Sequence, residues 1–184
     1  MRSGYLLLIF VLTAAATLGT NRSVPAKEFL TELEIKKIQE AQEIDRRVKI
    51  YMEAAEFRLK TAQERLSGVE SVEGDPLEFF TPEEMLDGYY RILKSVMLNL
   101  DDAFQGPYAD LNRINSGLKS LRKTTDKAGN QLEILKRIAE DKKKEELWNL
   151  VNRAMDITEG AHEGAVSGLE EIKEISERNR KRSR

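Results

Sequence analysis

The chain has 184 residues, of which 30 are Lys or Arg and 32 are Asp or Glu, with a single histidine and no cysteine. The lack of cysteine excludes disulfides, thiolate metal sites and cysteine nucleophiles, and one histidine excludes any site that needs two. With only 4 Pro, 11 Gly and 7% aromatic residues, the composition disfavours turn-rich β sandwiches and barrels. The length fits one domain.

The first 26 residues differ in character from the rest of the chain. Arg2 precedes an uncharged apolar run of 14 residues from Tyr5 to Leu18, and small and polar residues follow up to Ala26. This order is typical of a secretory signal peptide. As a helix the run would span roughly 21 Å, short of the ~30 Å hydrocarbon core of a bilayer. We therefore expect cleavage after Ala26, with Ala16 and Gly19 as alternative sites, and a periplasmic or secreted mature protein. An uncleaved segment anchored in the inner membrane is the alternative.

Apolar residues in the remaining chain recur at steps of three and four, the spacing of one face of an α-helix. The first stripe runs through Ala41, Ile44, Val48, Tyr51, Ala55, Leu59, Ala62 and Leu66. It predicts one helix over about 28–66. The turn formers Gly74, Asp75 and Pro76 then interrupt the pattern.

A second helix is predicted over about 81–104 because its start carries several local signals. Thr81 is a good N-cap, Pro82 suits the first helical position, and Glu84 completes a capping box with Thr81. A third helix over about 108–140 has the most regular spacing of apolar residues, with steps that alternate between three and four. That alternation is typical of left-handed helix packing.

The phase of the apolar stripe slips near Asp141, which is also a possible N-cap. We interpret the slip as a turn between the third helix and a fourth over about 143–177, although a stutter within one long helix would give the same pattern. Four amphipathic helices indicate an all-α fold, an elongated antiparallel four-helix bundle with up-down-up-down topology. The bundle domain would cover residues 27–177. An oligomer of longer helices would show the same stripes.

His162 is the only histidine, and the candidate metal and cofactor sites centre on it. Glu159 precedes it by three residues and Glu163 follows it, a spacing that carboxylate-bridged metal sites use within helical bundles. Such sites need a second histidine, which one copy of this chain lacks. A haem held between His162 and Met52 is a second hypothesis of the same class. The simpler interpretation is a surface histidine flanked by acids, with no cofactor.

Gly160, Gly164 and Gly168 recur every four residues in the last predicted helix. Each glycine costs a helix roughly 1 kcal/mol relative to alanine, which suggests a use. We expect either close packing against an aromatic side chain such as Tyr89, Tyr90 or Phe57, or a groove for a partner.

The C-terminal residues 178–184 form a basic tail that we expect to fray. It contains Arg178, Arg180, Lys181, Arg182 and Arg184. These residues complement the dipole at a helix C-terminus. They also suit contact with an anionic surface.

No motif for catalysis, phosphate binding or zinc is present in the sequence. We therefore predict an exported, non-enzymatic helical bundle that binds a protein or an anionic envelope surface as a scaffold, adaptor or chaperone-like partner. The alternative is a cofactor- or metal-binding bundle centred on His162. Nucleic acid is not expected as a partner of an exported chain, and a homo-oligomer is compatible with the pattern.

Overall fold

The computed structural model describes residues 28–182, which form helices and turns without a strand, and it confirms the predicted all-α class. The helices are α1 (Glu32–Glu40), α2 (Ile44–Leu66), α3 (Pro82–Gln105), α4 (Leu111–Asp141) and α5 (Glu145–Arg182). None of them is long and apolar enough to cross a membrane. The predicted signal peptide, residues 1–26, lies outside the described residues.

The four long helices, α2 to α5, enclose one core. α2 packs against α3 and α4, and α5 packs against the same two helices, while α3 and α4 touch each other far less. The core is built mainly from leucine, alanine and other aliphatic side chains that are almost fully buried. Burial of such side chains is the main source of stability for a chain without disulfides. The position of the functional surfaces therefore depends on which face each helix turns toward this core.

The start of α3 agrees with the sequence prediction in detail. Thr81 is the N-cap, and its side chain accepts a hydrogen bond from the Glu84 amide at 3.1 Å. The Glu84 carboxylate accepts one from the Thr81 amide at 2.8 Å, which completes the capping box. This box satisfies two amides that have no partner inside the helix.

The single helix predicted over 28–66 is wrong, because the chain forms α1 and α2 with a break at residues 41–43. Thr31 and Glu34 form a second capping box at the start of α1. At the break, the Arg47 guanidinium donates hydrogen bonds to the carbonyls of Ala41 at 3.0 Å and Gln42 at 3.1 Å. The apolar spacing continues through the break without a phase change, so it gave no sign of the reversal.

A buried arginine holds the start of α1 against α2. Arg58 is 0% exposed, and its Nε and Nη2 donate to the Phe29 carbonyl at 3.1 and 2.7 Å. Both terminal nitrogens bind the Glu34 carboxylate at 2.8 Å, and Nη1 also donates to the Ala54 carbonyl at 3.0 Å. Such dense pairing is what a buried charge requires. Arg58 thus places Glu34 beside the middle of α2, so α1 runs back along α2.

Gly88 on α3 leaves the space that Arg58 occupies. A Cβ at this position would lie 3.1 Å from Arg58 Nε, 3.2 Å from its Cδ and 3.4 Å from the Phe29 carbonyl oxygen. If the guanidinium moved away from such a Cβ, it would lose hydrogen bonds to Phe29, Glu34 or Ala54. The glycine is therefore needed for close approach rather than for an unusual backbone conformation.

The predicted turn near Asp141 is present, but Asp141 is the last residue of α4 and not an N-cap. Lys143 adopts a left-handed φ of 53°, and the Lys144 amide donates to the Ala139 carbonyl at 3.1 Å. A left-handed residue followed by this bond is a common way to end a helix, although glycine usually fills the position. Because Lys143 fills the position that glycine usually takes, neither glycine nor proline marks this turn in the sequence.

Glu34→Gln is expected to lower the free energy of unfolding by about 1.5–3 kcal/mol, because Arg58 would lose its charged partner while remaining buried. Urea unfolding monitored by circular dichroism measures the change. Glu40→Gln is the matched control, since Glu40 is exposed at the other end of α1, and it should change stability by less than about 0.5 kcal/mol. Equal effects of the two substitutions would contradict the role of Arg58.

The contribution of Glu34 should also depend on pH. Burial by itself raises the pKa of this carboxyl, but the hydrogen bonds and charge of Arg58 and the Thr31 amide outweigh it, so the pKa lies below its ordinary 4.5. The stabilisation is then complete above that ordinary value and is lost as pH falls through the lowered pKa. The stability difference between wild type and Glu34→Gln should therefore shrink as the pH falls below about 4.5 and through the lowered pKa. A constant difference over this range would be the contrary result.

Candidate functional site

The basic C-terminal segment is helical and does not form the frayed tail that we predicted. α5 continues through Arg182, and residues 176–182 are all exposed. Four basic residues, Arg178, Arg180, Lys181 and Arg182, lie in its last five positions. We expected fraying because residues 178–184 have no apolar partners. Cations in the last turns of a helix nevertheless stabilise the helix through its dipole. Arg184 lies outside the described residues.

This end of α5 extends past the helix beside it. Gly168 lies against Leu118 of α4, and His162 lies beside Thr125, so the two helices are antiparallel. In that register Leu111, the first residue of α4, is level with about residue 175 of α5. Residues 176–182 therefore project by about 10 Å, at ~1.5 Å per residue. The projecting part of α5 is helical, and its basic side chains are exposed.

His162 lies at the surface between α4 and α5 and is half-buried. Its Nδ1 is 3.2 Å from the Thr125 hydroxyl and 3.5 Å from the Asp126 carboxylate. It lines a shallow groove of about 470 Å³ together with Glu159 and Glu163. Leu132 and Met155 are the apolar side chains that line this groove.

The structure does not assemble the metal and haem sites considered for His162. Among residues 28–182, no group of three or more His, Asp or Glu side chains is arranged to hold a metal ion, and this includes Glu159, His162 and Glu163. Met52 lies buried in the core on α2, and α2 is not a neighbour of α5. Since His162 instead faces α4, the pairing of Met52 with His162 has no structural basis.

Contrary to our expectation, the three glycines of α5 do not pack against Tyr89, Tyr90 or Phe57. A Cβ at Gly168 would lie 3.0 Å from Leu118 Cδ1, so only this glycine serves close packing within the chain. Gly160 and Gly164 are exposed, and a Cβ at either would meet nothing within 4 Å. They face away from the core, so their helical cost has no compensation within the described residues.

Gly160 and Gly164 belong to a second stripe of α5, which we call the outer stripe. It consists of Gly160, Gly164, Ser167, Glu171, Glu174 and Arg178, and all six residues are exposed. The steps between them alternate between four and three, as in a packed helix face. Our sequence interpretation overlooked Ser167, Glu171 and Glu174, because it searched for this spacing only among apolar residues.

The buried polar groups near the groove are occupied by structural contacts. The Tyr89 hydroxyl lies 2.7 Å from the Thr158 hydroxyl, which in turn donates to the Ala154 carbonyl. Burial raises the pKa of Tyr89 far above its usual value, and the hydrogen bond to Thr158 only partly opposes this. Tyr89 is therefore neutral over the physiological range and acts as a packed side chain with a satisfied hydroxyl.

Alanine substitutions should separate the three glycines. Gly160→Ala and Gly164→Ala are each expected to raise stability by about 1 kcal/mol, because they improve helix propensity in open space. Gly168→Ala should give a smaller gain or a loss, because Leu118 is buried and must shift to admit the methyl group. Thermal unfolding of dilute samples compares the three variants. Equal stabilisation by all three would show that the contact with Leu118 is unimportant.

Comparison of the chain with protein-family models, with characterised proteins and with solved structures finds no match. Two surface features stand out, and both belong to α5. They are the projecting basic end and the outer stripe.

Proposed function

We propose that this chain is an exported, non-enzymatic protein that binds an anionic membrane surface of the cell envelope. In this proposal residues 1–26 direct export and are removed, and the mature protein is an up-down-up-down four-helix bundle in the periplasm or outside the cell. The basic end of α5 makes the contact with lipid headgroups. The helical body acts as a scaffold that is held at that surface.

The observation that carries the proposal is the helical projection of exposed cations beyond the start of α4. Arg178, Lys181 and Arg182 are all exposed, and they lie within two helical turns. Each Lys or Arg near an anionic lipid surface contributes on the order of 1 kcal/mol of attraction. A helix that already presents these side chains together loses less conformational entropy on binding than a disordered tail would.

The absence of an enzymatic role is inferred from how the chain uses its polar groups. Among the described residues, Arg58 and Tyr89 are fully buried and Glu34 is partly buried, and each is paired with another group of the bundle. A catalytic acid, base or nucleophile needs a shifted pKa in a cleft that is open to substrate. The lowered pKa of Glu34 and the raised pKa of Tyr89 arise instead in packing contacts inside the bundle. This favours a binding protein over an enzyme.

Vesicle cosedimentation at low salt tests the proposal. Neutralising three cations, in Arg178→Gln/Lys181→Gln/Arg182→Gln, should weaken binding to phosphatidylglycerol vesicles by on the order of 100-fold, since about 3 kcal/mol of attraction would be lost. Binding of the wild type should fall as salt is added, because the interaction is electrostatic. Vesicles of phosphatidylcholine alone should not bind either protein.

A matched control is available at the turn between α4 and α5. Lys142→Gln/Lys143→Gln/Lys144→Gln removes the same number of charges from exposed positions at the opposite end of the molecule. This variant should retain nearly all of its vesicle binding. If both triple variants lost binding equally, the attraction would be a property of net charge, and if neither lost it, the basic end would not be the contact.

A further inference from the structure

The four cations of the basic end point in different directions around α5. Successive residues of an α-helix are rotated by about 100° about its axis. Relative to Arg178, the positions of Arg180, Lys181 and Arg182 are therefore rotated by about 200°, 300° and 40°. Together they cover more than half of the circumference of the helix. A flat surface alongside α5 would contact only some of these side chains, whereas a surface that meets the end of the helix can approach all of them.

The link between α3 and α4, residues 106–110, closes the same end of the bundle. It leads directly into Leu111, which is level with about residue 175 of α5, where the projection begins. The start of the link lies at the same height. α3 and α5 run parallel, and Tyr89 of α3 contacts Thr158 of α5 at 2.7 Å, so Gln105 is level with about residue 174. The link therefore sits beside the base of the projecting cations.

This link carries Tyr108, whose side chain is 96% exposed. Phe104 and Ala109, on either side of it, pack against the core, so turning Tyr108 inward would pull them out. A single exposed aromatic residue is ordinary on a soluble protein. What distinguishes Tyr108 is its place beside the basic end. Tyrosine is favoured where a membrane meets water, because its ring contacts lipid while its hydroxyl stays hydrated.

We propose that the bundle docks end-on on the anionic membrane, with the cations of α5 and the Tyr108 ring in the same headgroup layer. This inference rests on the proposed membrane contact and adds an orientation and an apolar anchor to it. The projection of about 10 Å is comparable to the headgroup layer of one leaflet, which is roughly 5–8 Å thick. The last turns of α5 can therefore lie among the headgroups while the link is at their outer edge. The opposite end of the bundle faces away from the membrane.

Charge distinguishes the two ends of the bundle. The link between α2 and α3, at the opposite end, has no cation and four acidic residues, namely Glu70, Glu73, Asp75 and Glu78. Phe79 in that link is 80% exposed, so exposure of an aromatic side chain does not by itself select an end. The lysines at the turn between α4 and α5 share that end with these acids, so its charge is mixed. An anionic surface therefore attracts the end with Tyr108 more strongly.

The acidic residues near Tyr108 oppose the contact only in part. Asp110 accepts hydrogen bonds from the Asn112 amide and from Arg113 Nε, both at 3.1 Å, so its charge is paired. Asp101 and Asp102 are exposed near the end of α3. Their repulsion from anionic lipid limits the affinity, and the ring of Tyr108 supplies an attraction that does not depend on charge.

Fluorescence of a tryptophan placed in the link tests the orientation. The chain has one tryptophan, Trp148, which lies roughly 45 Å along α5 from Arg178, at ~1.5 Å per residue. The exported protein, purified from cells that express the full chain, is mixed with phosphatidylglycerol vesicles that contain a lipid with a spin label on its headgroup. In Tyr108→Trp/Trp148→Phe the emission should be quenched and should shift to shorter wavelength. Trp148 of the wild type should show neither change.

Vesicle cosedimentation of Tyr108→Ser tests the anchor. Binding should weaken on the order of 5-fold, because the contact of the ring with lipid is lost. The loss should persist as salt is added, because burial of an apolar ring is not screened. Thermal stability should not change, since Tyr108 is 96% exposed. Phe79→Ser is the matched control, because it removes an exposed aromatic side chain from the opposite end, and it should bind like the wild type.

The outcomes separate this inference from the proposed function. Vesicle binding without quenching of the tryptophan at position 108 would overturn the end-on orientation, as would equal quenching of Trp148, and the membrane contact would stand in both cases. Equal binding by Tyr108→Ser and the wild type would remove the anchor. If the wild type does not bind the vesicles at all, the proposed function fails and this inference fails with it.

Discussion

Three arginines of α2 satisfy backbone carbonyls that lie outside the helices, and they thereby place the irregular parts of the chain. Arg47 binds the carbonyls at the break before α2, Arg58 binds Phe29, and Arg65 binds three carbonyls of the segment between α2 and α3. A buried carbonyl without a donor costs as much as a lost hydrogen bond, so such segments need a partner. α2 provides the donors for all three irregular segments. Arg58, the most deeply buried of the three arginines, also forms the ion pair with Glu34.

The placement of α1 affects which surfaces of the bundle stay exposed. α1 contacts α2 and not α5, so it leaves the outer stripe uncovered. The inner stripe of α5, with Ala161 and Ala165 fully buried, fixes which face of the helix looks outward. The projecting cations and the exposed glycines thus follow from the packing of the core. Both proposals use surfaces whose direction the fold determines.

Local signals in the sequence were sufficient where the structure depends on neighbouring residues, as in the capping box of Thr81 and Glu84. They failed at the break before α2, because the apolar spacing continues there and the reversal is held by long-range contacts of Arg58. Rules that place arginine in solvent could not identify its burial, although Gly88 in the middle of a helix was a sign of close approach. The sequence shows that glycine recurs in α5, but which of these glycines are exposed depends on how the helices pack.

The most direct measurement of the central role of Arg58 is amide hydrogen exchange of α1 in the wild type and in Arg58→Lys. Lysine keeps the charge but cannot bind Glu34 and the Phe29 carbonyl with a planar fork of donors. Amides of residues 35–40 should be protected in the wild type and lose protection in the variant, while amides in the middle of α4 remain protected. Equal protection of α1 in both proteins would contradict this role of Arg58.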